Sequence, residues 1–162
     1  MCLHEIEEWN ILAWEMQFFE NPPHVSVEAI RAFLVFACVM SVAFTAAMCR
    51  IRDLRVTAHL SILSFGLFMV GNSMQHLYWS FLSQGYAPGS VASGLVCLPT
   101  MAFVIWHALR NHLIGPKPVI GLGCIWAIML VGIVRMGNTL PTAILRLHDL
   151  GSRFATTLGF EQ

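Results

Sequence analysis

The stretch RVTAHLSILSFGLFMVGNSMQHLYWSFL, residues 55–82, decides the fold. It is longer than the roughly 20 residues that a helix needs to cross a bilayer, and no Asp, Glu, Lys or Arg follows Arg55 within it. At about 100° per residue, one arc of the predicted helix is apolar and is expected to face lipid: Leu60, Leu63, Leu67, Val70, Met74, Tyr78 and Phe81. A second arc is polar: Ser61, Ser64, Asn72, Gln75 and His76. Because an unpaired polar group at membrane depth costs several kcal/mol, we predict that this polar intramembrane face meets other helices or a wet cavity.

The composition as a whole is that of an integral membrane protein. Of the 162 residues, 57% are hydrophobic and 11% are charged, whereas roughly a quarter of the residues in a soluble domain are charged. The formal net charge is zero, so no basic field attracts nucleic acid, and we exclude nucleic acid as a partner. None of the five cysteines forms a Cys-x-x-Cys pair, so we expect them to pack as small apolar side chains.

Four apolar segments are each long enough for a spanning helix. They occupy residues 27–49, 56–82, 90–109 and 119–135. Together they predict a four-helix transmembrane bundle over residues 26–136. Ser26 is a favourable N-cap for the first helix, and Pro99 is expected to bend the third. We therefore predict an all-α integral membrane protein whose outer surface contacts the lipid bilayer.

Residues 1–25 and 137–162 flank the bundle as amphipathic interfacial segments. The first is acidic and aromatic and too charged to span, so we expect it to lie at the membrane interface or to dock on protein. It lacks the basic start and apolar run of a cleavable signal peptide. In the second, apolar residues recur at spacings of three and four, which is typical of a surface helix: Ile144, Leu147, Leu150, Phe154 and Leu158.

Basic residues in the short connections predict the orientation. They follow the first and third helices: Arg50, Arg52, Arg55, Arg110 and Lys117. The positive-inside rule places both of these connections in the cytoplasm. Both termini are then expected on the non-cytoplasmic side, with the bacterial inner membrane as the predicted location.

Small residues spaced four apart predict sites of helix packing. They are Ala43 and Ala47 on the first helix and Gly123 and Ala127 on the fourth. Such pairs let helix backbones approach closely in lipid. We expect them to support contacts within the bundle, with a second copy of the chain, or with other membrane subunits.

Two histidines raise the possibility of a cofactor. His59 and His107 are predicted at the same cytoplasmic depth on neighbouring helices, as bis-histidine ligation of haem b would require. Against this, His59 projects about 100° away from His76, and no histidine of the third helix opposes His76. Hydrogen-bonding histidines at the interface are the ordinary interpretation, so we expect no cofactor, with haem b as the alternative.

No catalytic motif is recognisable. Apart from Glu28 at the start of the first helix, the predicted spans contain no carboxylate, which argues against an aspartyl protease, a proton-coupled carrier or a carboxylate–metal enzyme. We therefore predict a non-enzymatic subunit of a homo- or hetero-oligomeric membrane assembly, of which a holin-like protein is one form, with no catalytic residues and no metal ligands. Two alternatives are an electron-transfer subunit that holds haem b and a small channel or transporter lined by the polar face of residues 56–82.

Overall fold

The computed structural model describes residues 1–157 and Gly159 and is built entirely from helices and connections in that part of the chain. The helices are α1 Cys2–Glu7, α2 Ile11–Phe18, α3 Val27–Met48, α4 Leu54–Leu82, α5 Ser90–Arg110, α6 Pro116–Met136 and α7 Thr142–Thr157. Four of them, α3 to α6, are long and apolar enough to cross a membrane. The predicted all-α fold with four spans is confirmed. Leu158 of the predicted C-terminal helix lies outside the described residues.

A polar side chain caps the N-terminus of each of the helices α3 and α4. Ser26 Oγ accepts a hydrogen bond from the Ala29 N–H at 3.0 Å, which confirms the predicted N-cap of α3. Asp53 serves α4 in the same way, because its carboxylate accepts the Arg55 N–H at 2.8 Å. Each cap pairs a backbone donor that the first helical turn leaves free.

Two spans contain a wider π turn. It occupies Gly66–Val70 in α4 and Ser93–Cys97 in α5, just before Pro99. A π turn adds one residue, so the helix beyond it is rotated by about 100° relative to a uniform α-helix. Val70, which a uniform helix would place toward lipid, is consequently buried. The Trp126 indole N–H donates to the Gly66 carbonyl at 3.0 Å, which ties this turn to α6.

The main core joins α4, α5 and α6. One buried cluster contains Ile62, Ala108 and Leu122, and a second contains Met69 and Cys97. At Gly66 the helices approach so closely that an added Cβ would lie 2.8 Å from Leu122 Cδ2.

Helix α3 is held differently. It packs mainly on α1, α2 and α7, with Gly151 of α7 against the Phe33 side chain and the rings of Phe36 and Phe154 5.1 Å apart. A cavity of about 720 Å³ remains between α3 and α4. The predicted amphipathic C-terminal helix therefore covers α3 rather than lying apart from the bundle.

Among the described residues, the small residues predicted to pack helices make no close helix contacts. Ala43, Ala47 and Ala127 are exposed, and the space opposite Gly123 is open. Close helix contacts are made instead at Gly66 and Gly71, because these positions face α6. Packing through the predicted pairs stays a prediction for contacts with another chain.

The predicted topology anchors are exposed in the connections and adjoining helix ends at one end of the bundle: Arg50, Arg52, Arg55, Arg110 and Lys117. The opposite end carries α1, α2 and the start of α7, and this end contains the candidate site.

Candidate metal centre

The N-terminal segment enters the bundle with its polar side inward. His4, Glu5 and Glu8 are buried, whereas Leu3 and Ile6 are exposed. His4 and Glu8 are four residues apart and so share one helix face. The sequence predicts an interfacial segment here, and the structure shows that its acidic face is covered by the spans rather than by water.

Three ligand atoms from this segment and α4 converge. Glu8 Oε1 lies 3.0 Å from His4 Nε2 and 2.6 Å from His76 Nε2. The two imidazoles meet edge to face, with their centroids 4.9 Å apart. Among the described residues, Glu8 Oε1 has no partner with the directional geometry of a hydrogen bond. The three ligand atoms lie within 4.8 Å of one another, so one ion could reach all of them.

His4 is oriented by the backbone. Its Nδ1 lies 3.1 Å from the Gly89 carbonyl oxygen, and because a carbonyl can only accept, this nitrogen carries the proton. In the neutral ring, Nε2 then presents its lone pair to the cluster, where Asn72 Nδ2 lies 2.7 Å away. Histidines that bind metal ions commonly donate their other N–H to a carbonyl or carboxylate, which fixes the tautomer.

Glu7 fixes the position of α1 against α5. Its carboxylate accepts the Val91 N–H at 3.0 Å and the Ala92 N–H at 2.6 Å. These donors belong to the first turn of α5, where a negative charge is also favoured by the helix dipole. The contact thereby holds Gly89, whose carbonyl orients His4, next to the cluster.

The cluster keeps Glu8 ionised. Burial alone would raise the pKa of Glu8, but the charge of His76 and contact with both imidazoles outweigh it and lower the pKa to about 2. For His4, burial lowers the pKa, but the Glu8 carboxylate outweighs it, so that the pKa is raised. At neutral pH Glu8 is therefore a carboxylate, the form that binds metal ions.

The cavity between α3 and α4 ends at this cluster. Its wall is mostly apolar, and polar side chains collect at one end: Glu5, Glu8, Glu15, Asn72, His76 and His148. Burial, with the Glu8 charge, raises the pKa of Glu5 to about 7. The same two causes raise the pKa of Glu15 to about 8. Burial lowers the pKa of His148, which faces Glu15 at 3.7 Å.

The raised pKa of Glu15 predicts a pH dependence of stability. A carboxyl whose folded pKa is about 8, against an ordinary 4.5, stabilises fully below about pH 4.5. This contribution to the free energy of unfolding is lost as the pH rises through 8, by at most about 1.4 kcal/mol per pH unit. Because Glu15→Gln keeps a neutral side chain, we expect the variant's Tm to fall less than the wild type's between about pH 5 and about pH 8. Thermal unfolding in detergent measures this. Equal declines in both proteins would contradict it, and Glu20→Gln, at an exposed position, should behave like wild type.

The predicted polar face of α4 divides in the structure. Ser64, Asn72 and His76 line the cavity. Gln75 is buried but does not line it, and the Ser61 hydroxyl donates to the Met48 sulfur at 3.5 Å.

The structure does not bring His59 and His107 together. His59 Nδ1 donates to the Arg55 carbonyl of its own helix at 2.7 Å. His107 is exposed and stacks on Phe103, with the ring centroids 5.9 Å apart. Of the two, His59 therefore forms a hydrogen bond, as the ordinary interpretation expects, whereas the described contact of the His107 side chain is a ring contact.

Sequence reasoning missed His4 and Glu8. The histidine that opposes His76 comes from α1 rather than from the third span. The absence of carboxylates beyond the first turn of the spans also does not exclude a carboxylate–metal site, because the segment of α1 and α2 brings Glu5, Glu8 and Glu15 to the cavity. The available signal was a histidine and a glutamate four residues apart in a segment with little other reason to be helical.

The fold and the site define a class: an all-α protein with four helices able to span a membrane and a buried His–Glu–His cluster. Residues 1–109 match the family model described as "Protein of unknown function with HXXEE motif", and the chain belongs to this family. The sequence His4-Glu5-Ile6-Glu7-Glu8 fits the motif, so its fixed letters are two cluster ligands and the carboxylate that caps α5. No curated protein and no solved structure matches the chain.

Proposed function

We propose that this protein is a metal-dependent membrane enzyme in which His4, Glu8 and His76 bind one divalent transition-metal ion. The observation that carries the proposal is the convergence of three buried ligand atoms within 4.8 Å. Imidazole and carboxylate ligands suit zinc, iron and manganese. Three protein ligands leave a coordination position for water or substrate, as catalytic zinc sites do.

The cavity supports an amphipathic substrate that enters from the bilayer. Its volume of about 720 Å³ is within the usual range for a small-molecule site. Three of its apolar wall residues, Phe36, Met40 and Phe68, are also exposed on the surface of the spans, so the cavity opens toward lipid. The metal ion would polarise the substrate's polar group. Glu5, which is buried and lines the cavity beside the His–Glu–His cluster, would be placed to exchange a proton with the substrate.

Metal analysis of the detergent-purified protein tests this proposal. We expect about one transition-metal ion per chain, and a cobalt-substituted protein whose visible spectrum reports nitrogen and oxygen ligands. His76→Ala removes one ligand and should reduce the metal content to less than about a tenth of that in wild type.

The matched control is His59→Ala, which should retain the metal ion. The described hydrogen bond of the His59 side chain is to the Arg55 carbonyl of its own helix. Equal metal content in the two variants, or no stoichiometric metal in wild type after loading with zinc, iron or manganese, would refute the metal centre.

The same proposal includes a location. Applied to the exposed basic connections at the end of the bundle opposite the site, the positive-inside rule supports a bacterial inner membrane protein with its termini and metal centre toward the non-cytoplasmic side.

A role as a membrane subunit is the second candidate. It is favoured by the exposed Ala43, Ala47 and Ala127, which leave small-residue faces free for a second copy or another subunit. A holin-like assembly would be one form of it. The haem and channel alternatives gain no support. The described side-chain contacts of His59 and His107 are with other groups, and the cavity lined by part of the polar face of α4 ends at the cluster of His4, Glu8 and His76.

A further inference from the structure

Glu15 and His148 form a second polar group in the cavity, separate from the metal ligands. The Glu15 side chain is 1% exposed, and its Oε2 has no hydrogen-bond partner among the described residues. His148 Nδ1 is likewise buried and unpartnered within the described chain. Buried polar atoms are nearly always paired. Two such atoms on the wall of one cavity therefore point to a polar ligand group between or beside them.

The charged side chains that line the cavity favour some polar ligand groups over others. Glu5, Glu8 and Glu15 all line it, and no Lys or Arg does among the described residues. A phosphate or carboxylate beside Glu15 would meet a like charge with no Lys or Arg partner among the described residues. Glu15 is not one of the proposed metal ligands, so its carboxylate, once ionised, would be neutralised by a single positive head group.

The apolar part of the cavity indicates the shape of the rest of the ligand. From His76 it continues along α4 to Ser64 and Phe65, about 18 Å at the rise of an α-helix. Its far part is lined by Phe44 and Phe65, whose rings contact each other with their centroids 5.5 Å apart. This long apolar space with one polar end matches a molecule that has a single alkyl chain.

We propose that the cavity binds a single-chain amphiphile with an amine head group, with Glu15 as the counter-ion of the ammonium and His148 as an acceptor of its N–H. The inference rests on the proposed function, since it names the substrate class of that same site. The ammonium would favour the ionised carboxylate, which releases the proton that burial holds on Glu15. His148 belongs to α7, beyond the residues that match the family model.

Binding of hexadecylamine to the full, zinc-loaded chain in detergent tests the proposal. Native mass spectrometry and quenching of tryptophan fluorescence give stoichiometry and affinity, with palmitate and hexadecanol as probes of equal chain length. We expect one hexadecylamine per chain, bound at least about tenfold more tightly than either comparison compound.

Glu15→Gln should weaken hexadecylamine binding about tenfold or more without changing the zinc content, which shows that the variant is folded. Glu20→Gln, an exposed glutamate that contacts Asn138, is the matched control and should bind like wild type. Palmitate or hexadecanol binding as tightly as the amine would overturn the proposal. So would a Glu15→Gln variant that binds the amine normally.

The two proposals fail in different ways. If zinc binds stoichiometrically and the amine shows no preference, the head-group assignment falls and the metal centre stands. If the amine binds selectively while His76→Ala and wild type hold equal zinc, the metal centre falls and the amine site stands.

Discussion

Replacing Gly89 with alanine is expected to abolish metal binding and to lower the free energy of unfolding by about 2–5 kcal/mol. Gly89 has φ +86°, and an added Cβ would lie 2.8 Å from His4 Cε1, 2.9 Å from Glu8 Oε1 and 2.9 Å from His76 Nδ1. The methyl group would thus press on all three proposed ligands at once. None of these side chains can move away easily, because all three are buried. His4 is also hydrogen-bonded to the Gly89 carbonyl.

Gly137→Ala separates backbone strain from crowding. Gly137 has φ +59°, but nothing lies within 4 Å of its added Cβ. We expect this variant to lose some stability and to keep its metal ion. The measurements are metal content and thermal unfolding in detergent. A Gly89→Ala protein that retains stoichiometric metal and unfolds like Gly137→Ala would show that the residues around Gly89 do not form a rigid site.

Glu8→Ala is expected to have the second large effect, a loss of about 3–5 kcal/mol together with the metal ion. Removing the carboxylate leaves His4 and His76 facing each other in a buried space without their common partner. We expect α1 to leave the bundle, which exposes the N-terminal segment to added protease.

The control for this variant is Glu28→Ala, at an exposed position in the first turn of α3, which should cost less than about 1 kcal/mol. Thermal unfolding with and without a chelator separates the two contributions. The chelator should lower the Tm of wild type and leave Glu8→Ala unchanged. Similar Tm values for the two glutamate variants, or normal protease resistance of Glu8→Ala, would contradict the assigned role of Glu8.

The spanning helices were predictable because hydropathy acts on each segment by itself. The predicted 27–49 corresponds to Val27–Met48, and the predicted 90–109 to Ser90–Arg110. Ser26 was predictable for the same reason, since its hydroxyl caps a donor only three residues away.

The site was half predictable. His76 and Asn72 stand out as polar side chains in an apolar span, and both line the cavity. Glu8 does not stand out, because an amphipathic segment has two faces and its composition does not say which one is covered. Ordinary interfacial segments bury the face that here contains Leu3 and Ile6, whereas this one exposes it. Only the long-range contact between α1 and α4 decides between the two.

The π turn of α4 also escapes sequence reasoning, because a helical wheel assumes a constant angle per residue. The helical wheel correctly predicts that Leu60 and Leu63, which precede the turn, are exposed. It also predicts an exposed Val70, but Val70, which ends the turn, is buried. The turn is stabilised by a hydrogen bond from Trp126 of α6, so no pattern in the neighbouring sequence predicts it.

The same turn determines which changes in chain length this protein can accept. Deleting one residue from Gly66–Val70 would restore a uniform helix and hardly alter its hydropathy, so insertion into the bilayer would proceed as before. Every later side chain of α4 would nevertheless turn by about 100°, and His76 would point away from Glu8. A relative shorter by one residue here would look the same in a hydropathy plot, yet it would lack the cluster proposed to bind the metal ion.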